Sequence, residues 1–453
     1  MQLKPNPVAG AAPSLHLALA AASAALLAPS LAPAQTAPTQ PAQAAAPTPA
    51  AAAPVRTPWQ VDSAVLIYKE GGGRVSAVEP VISARRTDAN DRSFGVKFTL
   101  DALTGASPKG AAPQPAPQTF TSPSGESNYT TPAGATPLDP SFKDTRGALA
   151  ISLERPWGDE QRPSLGANLS AEYDFKSFGV SSALARDFNY KNTTVSIGAA
   201  LEIDRINPVG GMPLGLRPAF NPATPRANSE SRNVADLLLG VTQVMNREWL
   251  TQLNYGLGRG SGSHNDPYKV ISVVDGSTGL VTGDRYVGEA RPDGRTRQSL
   301  LWQNKIHLTE DVIDVSYRYY RDNWGVRAHT LDARYRYEFG GGVHIEPHAR
   351  VYRQSAADFW RGWLVEGQHW SSITQTAAVA YASADARLAE FTGTTVGAKL
   401  GMPIGRSSEV TLRVETYRQK QATPVQAPGV LQTLDIAPTL KATMVLLGYS
   451  FTF

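Results

Sequence analysis

The chain has no cysteine. That absence excludes a disulfide framework, a thiolate-ligated metal, c-type haem attachment and a cysteine nucleophile. It also suits a protein that passes unfolded through an oxidising periplasm, where stray thiols mispair. An excess of either charge is missing too: 43 Lys and Arg face 39 Asp and Glu, a net charge of +4. With no dense basic patch interleaved with aromatics, nucleic acid is not an expected partner. Past residue 34 there is no run of about eighteen apolar residues, so no transmembrane helix is expected. The Gly-x-Ser-x-Gly elbow, the His-Glu-x-x-His pair and the phosphate loop ending in Gly-Lys-Ser/Thr are all lacking. Neither an enzyme nor a bound cofactor is expected.

What is present starts at the N-terminus. Lys4 precedes an apolar stretch over residues 15–27, and Ala32, Pro33 and Ala34 supply the small-x-small pattern that signal peptidase reads. Residues 1–34 are expected to be a cleaved Sec-type signal peptide. Residues 35–58 are almost wholly Ala, Pro, Thr and Gln; repeated proline prevents regular structure, and the segment reads as an extended periplasmic tether.

From Trp59 onward, segments of ten or more residues alternate polar and apolar. Leu331, Ala333, Tyr335, Tyr337 and Phe339 alternate with Asp332, Arg334, Arg336 and Glu338; Val410, Leu412 and Val414 alternate with Thr411, Arg413 and Glu415. Period two gives each strand one apolar and one polar face. Strands are expected near 60–70, 74–87, 91–103, 146–157, 163–174, 177–189, 191–204 and 232–245. Eight more follow near 247–259, 297–309, 311–322, 326–338, 342–355, 389–402, 407–420 and 440–453. The long connections, near 104–145, 205–231, 260–296, 356–388 and 421–439, all follow odd strands, while even strands end in short turns. Bacterial outer-membrane barrels have even strand numbers, short periplasmic turns and long outer loops. Residues 59–453 therefore read as an all-β, antiparallel up-and-down transmembrane barrel of about sixteen strands, in the Gram-negative outer membrane. Its apolar face points to lipid and its polar face to the lumen. Trp157, Trp249, Phe339, Phe451 and Phe453 fall at periplasmic strand ends, where an aromatic belt sits. The alternation of Tyr449, Phe451 and Phe453 up to the chain end resembles the signal read by the barrel-assembly machinery, an expected partner.

Several phrases together resemble a bacterial family, domain of unknown function 3570, held to be outer-membrane barrels. They are Leu-Thr-Gly-Ala-Ser-Pro at 103–108, Gln-Thr-Phe-Thr-Ser-Pro-Ser-Gly at 118–125 and Pro-Leu-Asp at 137–139. Asn-Asp-Pro-Tyr-Lys at 265–269, Arg-Pro-Asp-Gly-Arg-Thr-Arg-Gln at 291–298 and the stretch 324–330 complete the set. The resemblance spans residues 59–453 and brings no activity with it.

Lumen-facing charges are the candidate functional groups: Arg318, Asp332, Arg334, Arg336, Glu338, Glu346, Arg350, Arg413 and Glu415. Such an array either screens permeating ions and small polar solutes or pairs internally and braces a filled barrel. His307, His344 and His348 share the lumen. His344 and His348 stand roughly 13 Å apart along one strand, too far to share a metal, so polar filling is expected and no metal site. Loop 104–145, bearing Phe120 and Phe142, could fold inward as a constriction or plug, or lie outward and bind a partner. Asp275, Asp284 and the glycines between them suggest a hairpin tip, because the carboxylate spacing fits no calcium loop. His264 with Asp266, or His329 with Asp322, could imitate a rim hydrolase. The leading expectation is a channel or transport component for ions or small polar solutes. The alternatives are a non-conducting scaffold, docking a periplasmic partner for instance, and rim catalysis.

Overall fold

The computed structural model describes residues 57–121, 128–221, 223–422 and 426–453. The expected signal peptide, and the tether up to residue 56, lie outside the described residues, as do the side chains of Phe142 and Asp284.

Sixteen long strands form a closed barrel. The first four are β1 (Trp59–Glu70), β2 (Ser76–Thr87), β3 (Ser93–Pro108) and β4 (Leu138–Glu154). Next come β5 (Gln161–Ala171), β6 (Phe175–Phe188), β7 (Thr193–Ile206) and β8 (Glu230–Val244). They are followed by β9 (Trp249–Gly262), β10 (Gly294–His307), β11 (Val312–Asp322) and β12 (Arg327–Gly340). The last four are β13 (Val343–Gln354), β14 (Phe391–Pro403), β15 (Ser408–Gln421) and β16 (Leu440–Thr452). The strands run from 11 to 17 residues, enough to cross a bilayer, which takes about 9–11 tilted residues. Each strand pairs antiparallel with its chain neighbour, and β1 closes on β16 from Gln60↔Thr452 to Glu70↔Ala442. At the seam, Trp59 N–H donates to the Phe453 carbonyl (2.8 Å) and Phe453 N–H to that of Trp59 (3.0 Å).

The alternation inverts a soluble core. Leu165 is 62 % exposed, Leu201 60 % and Val396 60 %, whereas Glu415 and His344, one position out of phase with apolar neighbours, are buried. An apolar band of this extent is a lipid-facing surface. Trp249, Phe339 and Phe453 are exposed on it at the end of the short turns. Phe451 stacks between Tyr449 and Phe453, at 5.4 and 5.8 Å. Trp157 lies in the turn after β4 rather than on the strand, yet at the same rim.

Loop parity holds: residues 109–137, 207–229, 263–293, 355–390 and 422–439 follow odd strands. The first of these is shorter than the expected 104–145, because β3 and β4 extend outward and enclose a hairpin of Gln118–Thr121 with Asn128–Thr131.

Candidate functional site

Every charged residue expected in the lumen faces inward. Strand register puts Arg318 on β11, Asp332, Arg334, Arg336 and Glu338 on β12, Glu346, His348 and Arg350 on β13, and Arg413 and Glu415 on β15, all on the face opposite Leu331, Val351 and Leu412. Most pair locally. Arg413 lies 3.4 Å from Glu346 and 3.6 Å from Glu415; Lys399 on β14, which sequence reasoning passed over, reaches Glu346 at 3.3 Å. Arg336 pairs with Glu338 at 2.5 Å and Arg334 with Asp332 at 3.6 Å. His348 sits between two carboxylates, 2.8 Å from Glu415 and 3.0 Å from Asp332. His344, fully buried, lies over Gly401, where any Cβ would come within 2.0 Å of its ring. These two imidazoles are hydrogen-bonded or packed filling, and His307 is exposed at the far rim. Arg318 and Arg350 have no hydrogen-bonded or ion-paired partner among the described residues.

The direction of these pairs matters. Among the described residues, each ion pair of the lumen wall joins one strand to itself or to a strand one or two places away. Arg146 with Asp101, Arg232 with Asp204, Arg297 with Asp236 and Arg295 with Asp322 repeat the pattern around the circumference. None reaches across the bore. Opposite the charged wall, the inward positions at the middle of β5 to β7 are small: Ser164, Gly166, Ser181, Ala183, Ala185, Ser196, Gly198 and Ala200. Larger groups lie toward the strand ends, Arg162 and Asp187 on the inner side and Asn168, Phe175, Glu202 and Asp204 on the outer. At mid-height, large side chains on one side therefore face little side-chain volume on the other.

Over the outer mouth, the five long loops pack into one layer. Val270 N–H donates to the Lys109 carbonyl (2.9 Å) and Ala112 N–H to Ser272 Oγ (2.9 Å), tying loop 109–137 to loop 263–293. Ala219 N–H reaches the Tyr286 carbonyl and Val430 N–H that of Thr278, bringing in the loops after β7 and β15. Loop 355–390 joins by parallel pairing of Val273 with Leu364. The layer has an apolar core of its own: Ile271, Val273, Val287, Leu364 and Trp370 are at most 1 % exposed. Lys109 is buried under the rings of Phe120 and Tyr129, 5.1 and 4.6 Å from their centroids; burial pulls its ammonium down to about 8. Asp275 makes the expected hairpin tip, accepting from Ser277 and Thr278.

The base of the layer is ionic. Arg291 binds Glu289 (2.9 Å) and Asp385 (2.8 Å), and Arg387 binds Asp266 (2.8 Å). The Lys269 ammonium caps the Pro108 carbonyl. Burial pushes the Asp385 carboxyl up, but Arg387 and Arg291 outweigh it and hold the group well below the usual carboxylate range. Glu289 goes the other way, raised by burial and by Asp266 and Asp385 against the pull of Arg291. Under this base lies a cavity of about 530 Å³, bounded by thirteen of the sixteen strands and roofed by Gly110–Pro113, Ser263–Asp266 and 384–388. Arg350, Tyr320, Tyr352, Tyr417, Gln354 and Gln419 line it.

A family model described as "Protein of unknown function (DUF3570)" matches residues 16–451. The chain belongs to the DUF3570 family. A search of curated proteins gave no match. Among solved structures, a crystal structure of OccD1 (OprD) is similar over 88 % of this chain and 96 % of that one, at 7 % identity and a TM-score of 0.40. A bacterial polysaccharide outer membrane secretin covers 88 % and 99 %, at 9 % and 0.42. Pseudomonas aeruginosa OccK2 (OpdF) in complex with glucuronate covers 88 % and 98 %, at 10 % and 0.37.

In this DUF3570 barrel the phrases that suggested the family meet in space. Pro108, Phe120, Asp266, Lys269 and Arg291 all belong to the loop layer or its base. Asp385 and Arg387 complete that base and were not anticipated. Of the two imagined rim pairs, His329 with Asp322 is overturned: Asp322 faces the lumen and binds Arg295, while His329 points outward and meets the Tyr317 hydroxyl at 2.7 Å. His264 packs edge-on against Trp324 at 5.4 Å, and Asp266 turns to Arg387.

Proposed function

We propose that this barrel is a gated outer-membrane channel for ions or small polar solutes, with the loop layer as its gate. The observation that carries the reading is the sideways run of the lumen ion pairs. Bracing a filled bore requires contacts across it, whereas pairs between near neighbours stiffen one wall and leave the bore beside it. Arg318 and Arg350, which make no direct ion pair although Asp332 stands opposite Arg350 in the register, then supply the field that a permeating anion meets. A sixteen-strand barrel falls in the size range that can hold an aqueous path.

Planar-bilayer recording of the refolded full chain tests the proposal. Discrete conductance steps are expected, with replacement of Arg318 and Arg350 by Gln moving the reversal potential toward cations. Arg336, neutralised by Glu338, contributes less. A membrane sealed at every voltage sinks the channel reading and favours a second one, a non-conducting docking barrel, which the packed loop layer supports.

A further inference from the structure

Basic side chains ring the outer end of the barrel on the face that points away from the lumen. Register sets six of them directly opposite one another in three like-charge pairs: Lys176↔Arg205, Arg321↔Arg327 and Arg418↔Lys441. All six are exposed, and each is among the four outermost residues of its strand. Like charges facing each other across a strand pair are destabilising. The strands cannot slip to relieve this, because a shift of one residue would turn every lumen group toward lipid. None of the six has an acidic partner among the described residues; Arg321 makes one bond, to Gln298 at 2.8 Å. Two other outward arginines do have acidic partners, Arg353 with Glu390 at the outer rim (3.5 Å) and Arg186 with Glu160 at the inner rim (3.6 Å).

The pair Arg418↔Lys441 borders an open groove of about 490 Å³ on this outer face, with Lys69 as a third cation and Thr394, Thr416 and Thr443 beside it. Below the groove the same face becomes apolar through Val414, Leu412 and Leu447. A ligand seated here would offer anionic groups at the level of the cations, hydrogen-bonding groups to the threonines and acyl chains to the apolar band. A phosphate between two cations turns their repulsion into two charge-assisted attractions.

We propose that this rim, centred on Lys69, Arg418 and Lys441, binds the phosphates of a phosphorylated glycolipid in the outer leaflet. The site is independent of whether the barrel conducts.

The test titrates the full-length barrel in neutral detergent with bisphosphorylated lipid A and with the same lipid dephosphorylated, read by native mass spectrometry. The wild type is expected to bind the phosphorylated form about tenfold or more tighter, the equivalent of one good ionic contact. The double variant Arg418→Gln and Lys441→Gln is expected to lose most of that preference. Equal binding of the two lipids overturns the proposal, as does a preference unchanged in the variant. Displacement by millimolar inorganic phosphate also overturns it, by showing a free-anion site. Melting supplies a second readout: without lipid the variant is expected to melt no lower than the wild type, since repulsion has been removed. A lower melting point means the cations serve the fold and overturns the reading. If that variant does not refold, the single variants Arg418→Gln and Lys441→Gln carry the same two measurements.

Discussion

Truncating Leu364 to alanine tests whether the loop layer is a separately stable unit. Leu364 is fully buried and packs with Ile271, Val273, Val287 and Trp370, all from the loops over the mouth. The site is enclosed on every side, so little collapse is open to it, and a Leu→Ala change in such a core costs about 2–5 kcal/mol. At about 1.4 kcal/mol per factor of ten, the open population of the layer rises from roughly thirtyfold to a few thousandfold. The wall takes no part in this cluster and keeps its ladders, because opening within a protein proceeds by local units. Limited proteolysis of the folded barrel in detergent is expected to cut faster within residues 263–293 and 355–390, while the mobility difference between unheated and boiled samples on a gel persists. In bilayers, the same variant is expected to spend more time open. An unchanged cleavage rate refutes the idea that this core holds the layer. Loss of the folded barrel refutes its independence from the wall.

Three further outcomes are expected. Burial and the nearby Arg232 and Arg295 push the His264 imidazole down from 6.5 to about 4; a group depressed on folding contributes stability above its unfolded pKa and loses it as pH falls. The layer is therefore expected to open progressively between pH 6.5 and about 4, measured by protease sensitivity, with that step absent in His264→Gln. Arg291→Ala strands the buried carboxylate of Glu289 and leaves Asp385 to Arg387 alone, and is expected to cost the layer about 3–5 kcal/mol, seen as faster amide exchange at residues 263–269 and 383–388. Deleting Phe453 removes both seam hydrogen bonds to Trp59, worth about 1–3 kcal/mol together. The refolded yield is expected to fall in urea gradients, with β1 and β16 separating first.

The wall was legible because each strand states its two faces locally. Leu331 and Asp332 need no distant partner to show which way they point, and the same parity already sent His329 outward with Leu331, a reading that the imagined pair with Asp322 ignored. Loop lengths after odd strands then set the orientation. The layer was not legible in the same way. Its defining contacts join residues far apart in the chain, Ala112 to Ser272 and Val273 to Leu364, and no local period records them. One signal was available: Val270–Val274 carries four apolar residues about one serine, and all five are buried, the pattern of a short strand covered on both faces rather than of a solvated loop. The charged lumen residues were placed correctly by parity, but which of them lack a partner depended on register with β13 to β15, and sequence alternation carries no register.

How the layer can open follows from where it is attached. Its loops leave the wall after β3, β7, β9, β13 and β15, so its anchors are spread around the circumference. A rigid lid needs its hinges on one side, and five separated anchors oppose that motion. Opening must then take place within the layer, by parting of one loop from its neighbours. The contacts of the ionic base favour the same conclusion. Asp266, Lys269 and Arg291 come from one loop and Asp385 and Arg387 from another, so this base is a single joint between loops 263–293 and 355–390, lying directly over the cavity. The apolar core around Leu364 joins the same two loops, with Leu216 from the loop after β7 as a third contributor. The ionic base and most of the apolar core therefore act at one seam, and a solute entering the cavity would pass where that seam parts. The same placement explains why Glu289 is raised while Asp385 is lowered: three carboxylates share three cations there, and the joint holds only while that charge balance does.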